Sequence, residues 1–408
     1  MTSAAGRGSG LPVTRADVEA AAEGLRGVVH RTPVVESTAL SALAGGRVAL
    51  KCENLQRAGS FKIRGAYLRM SRLSDAEKAA GVVAASAGNH AQGVALAARL
   101  LGIRSTVFMP AGAALPKVAA TKEYGANVVL GGATVDEALE LARERAAADG
   151  SVLIHPFDHA DVVAGQGTVG LEILEQVPDV RTILVPTGGG GLAAGIATAL
   201  AGTGVNVVGV QAAGAAAWPG SLADGHPVRL GAMSTMADGI AVGCPGEVPF
   251  AVLSALGTPV VTVSEEELSR ALLVVAERSK VLVEPSGAAG VAALLAGVEV
   301  ATPAVAVLSG GNIDPLLLLR VVRHGLVAAG RYLQLHVRLT DRPGALAELL
   351  GVLAASGGNV MHVSHVRTAV DLAVDEVEIE AQVETRGHDH CREVLAHLRD
   401  LGYRVAEG

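Results

Sequence analysis

The chain has 408 residues, with 33 Lys+Arg against 40 Asp+Glu, a formal charge of −7 and an apolar fraction of 50%. That balance disfavours a nucleic-acid or other polyanion partner, and the length suggests two or three domains with enough chain to bury proper cores. Cys52, Cys244 and Cys391 are widely spaced with no CxxC pair, which fits a reducing compartment, excludes a zinc ribbon and makes a cytoplasmic enzyme the expectation.

The first residues, MTSAAGRGSG, have no apolar stretch behind them, so neither a secretory signal nor an anchor is expected, and residues 1–11 read as a disordered tail. The Ala-rich runs 94–102 and 192–202 are far shorter than the roughly 18–20 residues of a membrane span, so no membrane partner is expected and they read as buried helices. Aromatics make up only 2% of the chain while glycine reaches 51 residues, which means cores of Val, Leu and Ala with close backbone approaches.

From about residue 48 to 315, short aliphatic runs alternate with amphipathic or Ala-rich stretches. The runs are GVVAAS (81–86), STVFMP (105–110), NVVLGG (127–132), TILVPT (182–187), VVGVQA (207–212) and AVAVLSGG (304–311). Continuous rather than alternating apolar character marks strands covered on both faces, as in open, mostly parallel α/β sheets. Several run straight into Gly-rich turns that open helices. Ligands of such sheets bind at the carboxyl ends of the strands, so these turns are where chemistry is expected.

Composition shifts near residue 331: residues 332–408 hold 7 Lys/Arg against 12 Asp/Glu, compared with 26 against 28 before them. A boundary is therefore expected there, dividing a catalytic region of two α/β subdomains (12–330) from a C-terminal module (331–408). The module reads strand 332–339, helix 344–356, strand 359–367, strand 374–384, helix 388–402 and a short YRV strand. This is a ferredoxin-like βαββαβ unit, with Leu346, Leu349, Leu350 and Leu353 as the stripe that covers its sheet.

Lysine is scarce: Lys51, Lys62, Lys78, Lys117, Lys122 and Lys280 stand against 27 arginines. Lys62 lies in GSFKIRGA (59–66) beside Phe61, an apolar setting that lowers an amine's pKa toward nucleophilicity. A lone lysine in such a run is ordinarily a surface residue; its company singles it out. In ASAGNHAQG (85–93), Ser86, Ala87, Gly88, Asn89 and His90 follow a strand at a helix N-terminus, where backbone N–H groups favour a carboxylate or phosphate. In TGGGGL (187–192) successive glycines let the backbone wrap an anion, though the GK[ST] ending of a nucleotide P-loop is missing. LSGGN (308–312) places Ser309 at the ligand edge of the sheet, beside VEPSGA (283–288) with Glu284 in an apolar context.

Together these segments resemble the pyridoxal-phosphate enzymes of the tryptophan-synthase-β type, specifically the threonine/serine dehydratase (threonine ammonia-lyase) branch, over residues 12–325. The resemblance implies a fold-type II enzyme that eliminates water from L-threonine, and also from L-serine, to give 2-oxobutanoate and ammonia in the threonine case. It implies that Lys62 forms the Schiff base with pyridoxal 5'-phosphate and then takes the Cα proton, with Phe61 against the ring. It further implies that Asn89 bonds the ring hydroxyl, Gly188, Gly189, Gly190 and Gly191 cradle the phosphate, Ser309 meets the ring nitrogen and Glu284 tunes or positions the ring. The substrate carboxylate would lie in the loop of Ser86, Ala87, Gly88, Asn89 and His90. A serine hydroxyl cannot keep the ring nitrogen protonated as a carboxylate would, which favours prompt β-elimination over transamination.

Two departures bear on related chemistries. The resemblance puts Ala87 where serine racemases carry a second acid/base serine, so racemisation is not expected. It puts Gln211 and Ala217 at the acidic positions of that branch's divalent-cation site, so no metal is expected, though carbonyls could hold a monovalent ion.

The C-terminal unit resembles ACT domains through LTDRPGALAELL (339–350) and GGNV (357–360). That likeness implies an amino-acid effector such as isoleucine or valine at Asp341, Arg342, Pro343, Gly344, Ala345 and Asn359. A single unit of this kind implies a homo-oligomer, dimer or tetramer, with the regulatory site completed by another subunit.

His388, His390 and Cys391 resemble a metal tract but read as ordinary helix chemistry, His362 and His365 point to opposite faces of a strand, and Lys51 reads as structural. The expectation is an allosteric threonine dehydratase of isoleucine synthesis. The alternatives are a catabolic or serine-preferring dehydratase with another effector, or an amino-acid sensor with a vestigial enzyme domain. A nicotinamide dehydrogenase lacks its G-x-G-x-x-G turn and acidic partner.

Overall fold

The computed structural model describes residues 10–367 and 372–408, so residues 1–9 of the expected tail lie outside the described residues. The chain divides into two compact units, Met1–Pro315 and Leu316–Gly408. The division precedes the expected boundary because the helix Pro315–Ala328, which the sequence reading gave to the catalytic region, falls almost wholly in the C-terminal unit.

The first unit carries two open sheets. The larger has strand order Val34–Glu36, Val48–Lys51, Ala304–Val307, Thr182–Pro186, Asn206–Ala212 and Val260–Val263; every neighbouring pair is parallel except the first. The smaller is fully parallel, in the order Asn127–Leu130, Ser105–Met109, Val82–Ala85 and Val152–Leu153. All four residues of Val82–Ala85 and of Ala304–Val307 are buried, the signature of strands covered on both faces that the unbroken aliphatic runs anticipated.

Small residues set the packing of the helices. Gly165, on the helix Ala160–Gln176, faces the helix Lys62–Ser71 so closely that a Cβ built on it would stand 2.7 Å from Gly65 Cα. Backbone rests on backbone there, which is how a core poor in aromatics reaches interior density. The same junction buries four charges. Arg64, fully buried, donates to Glu53 Oε1 and Oε2 at 2.8 Å each and to Glu172 Oε1 at 2.6 Å. Lys51 Nζ donates to Glu172 Oε2 at 2.6 Å, Gln176 Oε1 at 2.8 Å and the Thr32 carbonyl at 2.8 Å. Two cations and two carboxylates balance, so no charge of this cluster is left uncompensated.

The second unit is a four-stranded antiparallel sheet in the order Asn359–Val366, Glu376–Glu384, Tyr332–Thr340 and Arg404–Glu407, with the helices Ala345–Ala355 and His388–Asp400 between strands. This is the ferredoxin-like βαββαβ unit expected from the sequence. Alternate strand residues Leu335, Val337, Ile379, Ala381 and Val383 form one core with Leu349 and Leu353 of the first helix and Val394 and Leu398 of the second. The HDHC tract is local structure: His390 takes the Arg386 N–H and contacts the Ser356 carbonyl at 2.7 Å, while Cys391 Sγ contacts the Gly330 carbonyl at 3.2 Å. Among the described residues, no helix of the chain is long and apolar enough to cross a membrane.

Candidate active site

Four strand ends of the first unit converge on Lys62. The residue opens the helix Lys62–Ser71, and Phe61 N bonds the Ser309 carbonyl at 3.2 Å, which ties this helix start to the end of the strand Ala304–Val307. The Lys62 ammonium donates to the Pro156 carbonyl at 3.0 Å and lies 5.1 Å from the centre of the Phe61 ring. Burial pushes its pKa down to about 8, against the opposing pull of Glu284. A buried amine held by one neutral acceptor is poised to react as a base or nucleophile.

Pro156 leads directly to Phe157, which backs the glycine loop. Side chains on Gly189 would collide with the Phe157 ring, and one on Gly190, at φ +98°, would collide with Trp218. Only glycine fits either position. Trp218 Nε1 donates to the Gly188 carbonyl at 2.7 Å and Gly246 N to the Gly189 carbonyl at 3.1 Å, so the loop's carbonyls are held from behind. Its N–H groups, from Gly188 to Gly191, donate to no acceptor among the described residues and stand at the start of the helix Gly191–Leu200. That is an anion cradle with its donors unspent.

The loop Ser86–His90 opens the helix Asn89–Leu101 at the end of the strand Val82–Ala85. Ser86 Oγ takes the Gly88 N–H at 3.1 Å, a turn that leaves the N–H groups of Ala87, Asn89 and His90 without a protein acceptor. Asn89 Nδ2 donates to Glu284 Oε1 at 2.6 Å, while Asn89 Oδ1 takes a hydrogen bond from Asn312 Nδ2 at 2.8 Å. Glu284 is buried, and that burial together with Asp238 pushes its pKa up to about 7, against its hydrogen bond from Asn89 and the cations Lys117 and Lys62. Glu284 N bonds the Gly310 carbonyl at 3.0 Å, so VEPSGA and LSGGN do meet.

Phe61, Lys62, Asn89 and Glu284 are thus brought together, with Ser309 tied to them through its backbone carbonyl and the glycine loop joined through Pro156 and Phe157. The His90 side chain turns away: its Nε2 contacts the Ile154 carbonyl at 2.8 Å, and burial, with Lys62 nearby, pushes the imidazole down to about 3. Only its backbone N–H faces the loop, because its position on the first helical turn points the ring at the neighbouring strand. Asn312 ends the quoted LSGGN segment without a role of its own there, and the sequence does not single out Pro156, Phe157 or Asp238, or Lys117 beyond its being one of six lysines. None carries a local motif, and each acts on a partner distant in the chain.

The second cluster lies in the C-terminal unit. Asp341, Arg342, Pro343, Gly344 and Ala345 line a cavity of about 340 Å³ together with His365 and Arg367, and Asp341 pairs with Arg367 at 3.1 Å. Asn359 is not among them; its Nδ2 donates to Glu384 Oε2 at 3.0 Å. The intervening helix returns the chain so that this strand begins at the far end of the sheet, and its last residues, rather than its first, come to the Asp341 loop. Among the described residues the nearest approach to a metal-binding cluster is His336, Glu378 and Glu380, on alternate positions of the same sheet.

Comparison with known proteins gives concordant results. Residues 25–310 match the family described as pyridoxal-phosphate dependent enzyme. An L-threonine ammonia-lyase of Geobacter sulfurreducens is 47% identical over 399 residues, 97% of this chain and 99% of that one. An L-threonine ammonia-lyase of Thermotoga maritima is 45% identical over 396 residues, 96% and 99% of the two chains. Both matches reach across the C-terminal unit. Among solved structures, the processed form of threonine deaminase isoform 2 from Solanum lycopersicum superimposes with a TM-score of 0.73 at 38% identity, covering 76% of this chain and 87% of that one. The pocket fits the family's cofactor on its own terms: a buried reactive amine, a glycine cradle with unspent N–H donors, and two buried hydroxyls, Ser60 Oγ and Ser286 Oγ, that find no protein partner.

Proposed function

The chain belongs to the pyridoxal-phosphate dependent enzyme family, and from that premise we propose that it deaminates L-threonine to 2-oxobutanoate and ammonia, acting also on L-serine. The observation that carries the reading is the buried Lys62 amine on the Pro156 carbonyl, joined through Phe157 to the glycine loop. Bound there, pyridoxal phosphate supplies an electron sink that lets the Cα–H and Cβ–O bonds of an amino acid break.

The chain's own residues do the rest. Lys62 Nζ anchors the cofactor and, once released, takes the Cα proton; an amine with a pKa of about 8 does this near neutrality. The N–H groups of Gly188–Gly191 hold the phosphate, and those of Ala87 and Asn89 hold the substrate carboxylate. Ser309, buried at the end of the strand Ala304–Val307, would offer the ring nitrogen a hydroxyl rather than a carboxylate, a weaker electron sink that would favour elimination over transamination. Asn89, held between Asn312 and Glu284, presents its amide to the ring hydroxyl. Ala87 offers no proton on the opposite face, so racemisation is not part of the activity.

In the same reading the C-terminal unit is an ACT domain whose 340 Å³ cavity at Asp341–Ala345 takes an amino-acid effector such as isoleucine or valine. The enzyme is then a cytoplasmic homo-oligomer, dimer or tetramer, at the start of isoleucine synthesis; its cysteines Cys52, Cys244 and Cys391 are all free thiols. The test is ketoacid release from L-threonine by the cofactor-loaded full chain, with and without isoleucine. Turnover suppressed by isoleucine supports the whole reading. Turnover indifferent to it retains the chemistry and moves the C-terminal unit to another effector, as in a catabolic enzyme, and no turnover overturns the activity.

A further inference from the structure

Lys117 stands over the Ser86–His90 turn from a different element, the helix Leu115–Glu123 of the smaller sheet's layer. Its Nζ lies 3.9 Å from where a Cβ on Gly88 would be, so its charge faces the same turn whose N–H groups are left without a protein acceptor. The side chain is mostly buried, at 17% exposure, and its ammonium has one protein partner among the described residues, the carboxylate of Asp238. Asp238 comes from the other side of the pocket, on the short helix Asp238–Ile240, whose last residue packs against Gly188. Unlike Lys117, Asp238 is 53% exposed. Both charges are felt at Glu284, Asp238 raising its pKa and Lys117 lowering it, so the pair lies within electrostatic reach of the Lys62 cluster.

We infer that Lys117 is a binding residue for the α-carboxylate of the amino-acid substrate, and that Asp238 occupies it in the substrate's place until the substrate arrives. The inference rests on reading the Ser86–His90 turn as the carboxylate site. The turn alone offers partial charges from a helix start, about half an elementary charge at most. A partly buried ammonium beside it adds a full one in a setting where water screens it less than at the open surface. The partly buried cation is better off with a carboxylate beside it, and the half-exposed Asp238 side chain can return to water when the substrate's carboxylate takes over. One carboxylate replaces another, no charge is stranded, and amino-acid amides and esters are excluded because they cannot make the exchange.

The test uses opposite signs. Lys117→Met raises the KM for L-threonine by about 10- to 100-fold, with the loss falling on KM, and Lys117→Arg recovers part of it. Asp238→Asn removes the competitor and lowers KM several-fold. A calorimetric dissociation constant for L-2-aminobutyrate, which has no β-hydroxyl to lose, moves the same way in each variant without any turnover. If the pair only latches the pocket, the two substitutions shift KM and the dissociation constant in the same direction, and the inference falls. It falls as well if Lys117→Met and Lys117→Arg bind L-2-aminobutyrate as the parent does. Absence of threonine turnover in the parent chain would instead remove the functional reading, which separates the two failures.

Discussion

Asn312 decides which way the Asn89 amide faces. Its Nδ2 donates to the Ala58 carbonyl and to Asn89 Oδ1, both at 2.8 Å, so the Asn89 oxygen is committed and its Nδ2 is turned toward Glu284. Gly59, at φ +69°, leaves the room that the Asn312 amide fills. The orientation of a side chain in the pocket is therefore set from a loop 223 residues away.

Asn312→Asp keeps the shape and removes the donor, setting a carboxylate against two oxygens. The Asn89 amide then flips and presents its oxygen to Glu284. The expected cost is about 10- to 100-fold in kcat/KM, that of a buried hydrogen-bond partner lost, with a shift in the visible absorbance of the bound cofactor. Asn312→Ala, which removes the donor without adding charge, costs less. Steady-state kinetics and spectra of both variants check the order.

Lys62→Ala removes the buried amine that anchors the cofactor in this reading, so turnover and the cofactor's visible absorbance vanish together. In the cofactor-free parent, selective acylation of Lys62 rises through about pH 8, well before ordinary lysines near 10.5. Peptide mapping of the labelled sites reads this directly.

Glu284 carries a pH signature in the cofactor-free chain. Its pKa is about 7 folded and 4.5 when exposed, so between those values the folded state holds the extra proton. Its contribution to stability is fully present below pH 4.5 and is lost as pH rises through 7. Glu284→Gln lacks this loss. The melting temperature of the variant relative to the parent therefore climbs between pH 4.5 and 7 and is level above.

Gly190→Ala must place a Cβ at a positive φ and against Trp218 at once. Overpacking of this kind costs about 1–3 kcal/mol. The displaced loop also loses its phosphate geometry, so cofactor affinity falls further than stability does, measurable by equilibrium dialysis beside thermal melts.

Arg64→Met leaves Glu53 and Glu172 without their shared partner in the interior. Breaking a buried pair by removing one member costs about 3–5 kcal/mol. Arg64→Met combined with Glu53→Gln recovers part of that, since fewer stranded charges remain; chemical denaturation of the single and double variants gives the difference.

Much of the candidate site is legible locally, because its parts sit at element ends where local sequence is diagnostic: Lys62 at the start of a helix, Ser86–Asn89 and Gly188–Gly191 after buried, mostly aliphatic strands. What escaped depends on distance in the chain. Asn312 is only the end of the LSGGN segment until Asn89 is placed beside it, and Lys117 and Asp238 belong to different elements that only the tertiary fold brings together. Side-chain direction escaped too, since nothing local says that His90 turns to Ile154. In the C-terminal unit the elements are legible by their alternation, and Asn359 does open its strand, but its distance from the Asp341 loop within one chain is not legible locally. Strand identity follows from periodicity, but the end of a sheet at which a strand begins follows from topology.

Trp218 is the chain's one tryptophan, fully buried, bonded to the glycine loop through Gly188 and stacked on Phe250 at 6.0 Å between ring centres. Ultraviolet emission from this indole is thus an optical probe wired to the phosphate cradle. An anion seated on the loop polarises the peptide that accepts the indole proton, so cofactor loading is readable without a label. Residues 316–408 contain no tryptophan, so with excitation at the red edge of the indole band, where Tyr332 and Tyr403 do not absorb, they are dark in the same experiment. A fluorescence melt follows the first unit alone, and its departure from a melt followed by circular dichroism times the unfolding of the second.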